Sequence, residues 1–174
     1  MLFVPNATQM KEADQYTINE LSVPAFELME RAAISCVSVM KEKQLDLSHV
    51  CIICGSGNNG GDGFAIGRIL ASENIKVTVV MAGNIERCTK ETNFQIEKIL
   101  EAGVQIENEF RPSDYSVIVD AIFGVGLSRN IEGHYKSLIE QLNEFTCVRV
   151  SVDIPSGISA RVISPINTRF FSVN

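Results

Sequence analysis

The chain has 174 residues, 45% hydrophobic and 21% charged, which is ordinary for a soluble globular domain with a substantial core. A net charge of -6 argues against sequence-independent nucleic-acid binding, which needs a basic face. No apolar run approaches the ~20 residues that span a bilayer, and the opening Met1–Asn6 is too short for a secretory leader. An intracellular protein with neither nucleic acid nor membrane as partner is expected. The five cysteines are odd in number and scattered, so free thiols are expected rather than a disulfide framework.

A first helix is predicted from Thr8 to Glu20, with Thr8 as N-cap. A second begins at Pro24, placed as a first helical residue, and runs to about Lys43 with a wide apolar stripe. The pattern then alternates: strand 49–54, helix 61–73, strand 75–81, helix 89–102, a short strand 104–107, strand 116–122, helix 131–143 and strand 146–153. Continuous apolar strands such as Val77–Met81 and Ser116–Val119 predict a sheet covered on both faces. The implied fold is α/β, a three-layer, doubly wound, mostly parallel Rossmann-like sheet with right-handed crossovers and two leading helices. The whole chain, 1–174, reads as a single domain with no repeat or linker. Cys51 and Cys54 have C-x-x-C spacing, but within a strand they point to opposite faces, which does not suit a redox pair. His49, before the first strand, and His134, opening a helix, lie in no motif and are expected at surface or capping positions.

Residues 55–63, Gly-Ser-Gly-Asn-Asn-Gly-Gly-Asp-Gly, join the first of these strands to a helix and hold five glycines. Such a backbone turns tightly and lets a ligand approach its N–H groups, as phosphate-cradling loops do. The G-x-G-x-x-G within it is weak evidence alone. The next strand ends in Met81-Ala82-Gly83-Asn84 without the carboxylate that holds an adenosine ribose, which disfavours a hydride-transferring NAD enzyme. No G-K-[ST] follows, which disfavours a P-loop NTPase. Asp62 reads equally as a helix N-cap or as a ligand contact.

Two more strand ends carry an acid and a glycine turn, Asp120–Asn130 and Asp153–Gly157. In a parallel sheet all three would share the carboxyl edge where ligands bind; any one alone reads equally as an ordinary turn. Asn59, Asp120 and Ser156 offer hard oxygen donors that suit a weakly held hard cation better than zinc. Asp153, ending an apolar strand, either caps its turn or, if partly desolvated, has a raised pKa suited to proton transfer.

Gly57–Gly63, Val119–Leu127 and Asp153–Gly157, in that order, resemble the NAD(P)H-hydrate epimerase family, also called the YjeF N-terminal domain. Gln9–Asp14 and Leu28–Ala32 are similar to its two leading helices, so the resemblance covers about residues 5–158. It implies an isomerase of nicotinamide-cofactor repair that interconverts the R and S epimers of C6-hydrated NADH or NADPH, the S form then passing to a dehydratase. By motif, Asn58, Asn59, Gly60, Gly61 and Asp62, with Gly124, Val125, Gly126, Leu127, Ser128, Arg129 and Asn130, would bind the hydrate. Asp153 would contact it as the catalytic acid or base, and Asn59, Asp120 and Ser156 would hold a potassium ion. A homodimer is expected. Residues 159–174 depart from the family pattern as an altered or shortened tail that leaves a sheet edge open. The alternatives are an inactive binding or scaffold module of the same fold, and an unrelated nucleotide-binding regulator indifferent to potassium.

Overall fold

A computed structural model describes residues 7–127 and 129–158. Ser128 and the expected divergent tail, 159–174, lie outside the described residues. Helix α1 spans Ala7–Asn19, so Thr8 sits within its first turn and not ahead of it. Helix α2 spans Ala25–Glu42. Pro24 lies just outside α2, because its ψ of 142° is extended and only its φ is preset for a helix.

There follow β1 (His49–Cys54), α3 (Asn58–Ser72), β2 (Lys76–Met81), a 3-10 turn (Ile85–Arg87), α4 (Lys90–Glu101), β3 (Ile106–Glu107), β4 (Val117–Ala121), α5 (Gly133–Asn143) and β5 (Val148–Ser151). The strands form one five-stranded sheet in the order β3-β2-β1-β4-β5, parallel at every pairing. This is the doubly wound α/β architecture expected.

Strand β1 is the centre of the molecule and is buried along its whole length, as a β-branched and apolar run between two parallel neighbours should be. Val50, Ile52 and Cys54 face a core built with Ala33 and Val37 of α2, Phe64 and Ile66 of α3, and Ile99 of α4. Cys51 and Ile53 face a second core against Leu138, Ile139 and Leu142 of α5. Each such aliphatic side chain contributes roughly 1.5–3 kcal/mol on burial. Cys51 and Cys54 therefore sit on opposite faces as free thiols, and burial pushes the Cys51 thiol up to about 12, which makes it inert.

His49 differs from its expectation. It is the first residue of β1 and is buried, with Nε2 3.1 Å from the Thr78 hydroxyl and its ring edge-on to Tyr115. Burial lowers its pKa, so it serves as a neutral packing residue. Among the described residues no helix is long and apolar enough to cross a membrane.

Register positions the site. Cys54, the last residue of β1, lies beside Met81, the last of β2, and beside Ala121, the last of β4. Asp120 lies beside Ser151 at the end of β5. Four strands thus stop at one level, and the chain reverses its direction of winding between β1 and β4, where such sheets open a crevice.

Candidate active site

The glycine-rich stretch is less a loop than expected. Helix α3 begins at Asn58 and not at 61, so only Gly55–Gly57 connect strand to helix and Asn58–Asp62 form the opening turns. The glycines permit this close start. A Cβ on Gly60 would stand 1.8 Å from the Gly55 carbonyl oxygen, and one on Gly55 would stand 2.1 Å from that of Ile122. Helix and strand ends meet at backbone distance, with no space for side chains.

Gly57 precedes α3 without a side-chain cap, and its carbonyl accepts from the Gly60 and Gly61 N–H groups at 2.9 and 3.2 Å. The same carbonyl accepts from the Thr92 hydroxyl at 2.9 Å, while Thr89 donates to Asn58 Oδ1 at 2.7 Å. The start of α4 therefore clamps the start of α3. Sequence reasoning missed this pair; their signal was the Thr at the head of a helical stretch, since Thr89 also caps α4 by accepting from the Thr92 N–H.

The β4 and β5 ends are joined through Asp120, which is fully buried. Its Oδ2 accepts from the Ser156 N–H at 2.7 Å, and its Oδ1 from the Ser156 hydroxyl at 2.6 Å and the Ile122 N–H at 3.2 Å. Ser156 Oγ in turn accepts from the Phe123 N–H at 3.0 Å. Burial pushes the Asp120 carboxyl up, opposed by the bonds from Ser156 and Ile122.

Asp153 stands at the head of the last turn with φ of +67°, a left-handed conformation that costs a non-glycine residue about 1–3 kcal/mol and gathers at functional sites. Its Oδ2 accepts from the Val125 N–H at 2.6 Å. A Cβ on Gly124 would stand 2.4 Å from that same oxygen, so glycine at 124 admits the carboxylate.

The two aspartates of the cleft differ in environment. Asp153 is exposed in the cleft, because the turn carries it past the end of β5. Asp62 is not an N-cap: it is the fifth residue of α3, and the earlier helix start has carried it inward. Burial first, then the charges of Asp153 and Asp14, raise its carboxyl from 3.8 to about 7. Of these two, Asp62 is the more desolvated.

These elements border an open cleft of about 2130 Å³. Asn58, Asn59, Asp62, Asp153, Arg129 and the run Gly124–Leu127 line it. Gly60 and Gly61 are buried behind it as backing, and Asn130 lines a smaller adjoining pocket of about 240 Å³ beside Arg129. Asp14 and Lys11 of α1, Arg87 of the 3-10 turn and His134 of α5 also reach the cleft. None of the four lies in a motif that marks it as a site residue.

Of the expected cation ligands, Asp120 and Ser156 hydrogen-bond each other beneath the cleft. Asn59 is the telling one: both its amide oxygen and its amide nitrogen are buried without a hydrogen-bond partner. A buried orphan amide costs about 1–3 kcal/mol unless a further group answers it. Among the described residues no group of three or more His, Cys, Asp or Glu side chains could hold a metal, so any ion here would rest on amide, hydroxyl, carboxylate and carbonyl oxygens.

A family model described as YjeF-related protein N-terminus matches residues 25–169. A Weissella koreensis protein named NAD(P)H-hydrate epimerase is 40% identical over 155 residues, covering 88% of this chain and 70% of its own. An Oenococcus oeni protein of the same name is 36% identical over 157 residues, covering 89% and 75%. The crystal structure of yeast ynu0 superposes with a TM-score of 0.78 at 25% identity, over 96% of this chain and 78% of that one.

Proposed function

The chain belongs to the family of YjeF-related protein N-terminal domains, and on that premise we propose that it is an NAD(P)H-hydrate epimerase, an isomerase that inverts C6 of hydrated NADH or NADPH. The observation that carries the reading is the convergence of its three acid-and-glycine loops on one cleft, in a chain whose relatives bear that name. Nothing observed favours an inactive module.

The uncapped start of α3, lined by Asn58 and Asn59, suits the anionic pyrophosphate of a dinucleotide, since N–H groups and helix dipole both face it. Gly124–Leu127, with Arg129 beside them, would flank the hydrated cofactor. C6 of the substrate bears a hydroxyl next to the ring nitrogen, so inversion requires that the hydroxyl leave, or the ring open, and that the group re-add from the opposite side. Either route needs a proton donor and acceptor. Asp153 supplies one: its Val125 bond fixes one oxygen, leaving the other free to reach the ring.

Asn59, Asp120 and Ser156 would hold potassium, for which the orphaned Asn59 amide is the structural reason. The ion would supply positive charge beside Asp120 and fix the Asn59 side chain. We further propose that the chain acts as a homodimer and hands its S product to a separate or fused dehydratase.

The test is conversion of purified R-hydrate of NADH, coupled to excess S-specific dehydratase. Turnover above the spontaneous rate is expected, falling about 10²–10⁴-fold in Asp153→Asn with the melting temperature preserved. An Asp153→Asn protein that stays folded and keeps its full rate would remove Asp153 from the chemistry.

A further inference from the structure

The epimerase reading leaves one chemical role without a residue. Inversion at C6 links two nearly equivalent states, so whatever group serves as acid in one direction must serve as base in the other. A single carboxylate tethered to one backbone N–H cannot attend both faces of a ring. A second group is required, within the same cleft and drawn from another element.

We infer that Asp62 is that second proton-transfer group, acting with Asp153 in the same cleft. The inference rests on the epimerase reading and goes beyond binding. Both carboxylates line the same cleft, one from the second turn of α3 and the other from the turn after β5. Among the described residues no hydrogen bond or ion pair engages the Asp62 carboxyl. Its surroundings oppose full ionisation: Asp14 on α1 and Asp153 contribute negative charge, and Cys36 of α2 is close enough to feel its field. The cationic side chains of the cleft, Lys11, Arg87 and Arg129, form no ion pair with it. Burial and a nearby negative charge both favour the protonated form of a carboxyl. The raised pKa of Asp62, about 7, agrees with that arrangement.

The steps balance. Protonated Asp62 gives its proton to the C6 hydroxyl, the C–O bond breaks with its electron pair leaving on water, and the ring nitrogen lone pair forms the C6 iminium. Solvent water then adds to the opposite face, and the Asp153 carboxylate takes the proton it releases. The site finishes with the proton on Asp153, ready for the reverse inversion, and bulk water returns it to Asp62 before the next forward cycle.

The experiment is the coupled R-hydrate assay on the full chain with Asp62→Asn, Asp153→Asn and the double variant, each checked by thermal melting. For Asp62→Asn, kcat should fall about 10²–10⁴-fold with KM changed by less than about threefold, and the double variant should be no slower than the worse single, since paired groups act as a unit. In the unsubstituted chain kcat/KM should fall as pH rises through the region of 7, where Asp62 gives up its proton; Asp62→Asn should lack that limb. Should Asp62→Asn fail to fold, Asp62→Glu keeps a carboxyl displaced by one methylene, and should lower kcat and move the alkaline limb. A folded Asp62→Asn within about threefold of the unsubstituted rate, with the limb intact, overturns the inference and leaves the epimerase standing. No turnover by the unsubstituted chain overturns both.

Discussion

Asp62 and Asp153 are the same side chain in two environments, and each environment has its own energetic signature. A carboxyl raised from 3.8 to about 7 binds its proton more tightly in the folded than in the unfolded chain. Its stabilising contribution is complete below about 4 and is lost as pH climbs toward 7. Asp62→Asn should therefore make the protein more stable at pH 7 to 8, by on the order of a few kcal/mol, and leave it unchanged near pH 4. Urea denaturation at the two pH values measures this, and equal effects at both would show that Asp62 is ionised normally. Gly60→Ala acts in the opposite sense: its methyl would fall on the Gly55 carbonyl, with a loss above about 2 kcal/mol in the same assay. The chemistry of these residues was legible as residue types in three motifs. That Asp62 is drawn inward was not, because that depends on how many residues of the stretch wind into α3.

At the level of elements, strands were easier to read than helix starts. Strand β1 runs His49–Cys54 as expected, because its apolar residues have neighbours on both faces and no alternative placement. Helix α3 starts three residues early, since Asn-Asn-Gly-Gly has poor helix propensity and only packing against Gly55 and the clamp from α4 winds it into a helix. That clamp can be tested at Thr92. Thr92→Val removes the hydroxyl bonded to the Gly57 carbonyl inside a buried contact. It should cost about 1–3 kcal/mol and raise KM for the hydrate more than it lowers kcat, as loosening of a binding loop does. Steady-state kinetics beside a denaturation curve would show both; a fall in kcat alone would place Thr92 nearer the chemistry than the clamp allows.

The order β3-β2-β1-β4-β5 is what the alternating pattern and right-handed crossovers lead to, and it brings three distant motifs to one edge. The sequence pattern did not show that α1 would bring Asp14 and Lys11 to the same cleft, because helical periodicity does not fix where a leading helix packs. If a cation answers the buried Asn59 amide, potassium should raise the melting temperature of the whole molecule by mass action. Asn59→Leu should abolish that rise; an equal rise in the variant would move the ion elsewhere. The bonds around Asp120 have a consequence for local opening. The amide protons of Ile122 and Ser156 are held directly by this one carboxylate, and that of Phe123 is held through the Ser156 hydroxyl. Residues 33 positions apart in the chain should therefore exchange with deuterated solvent as one cooperative unit, and Asp120→Ala should release all three at once.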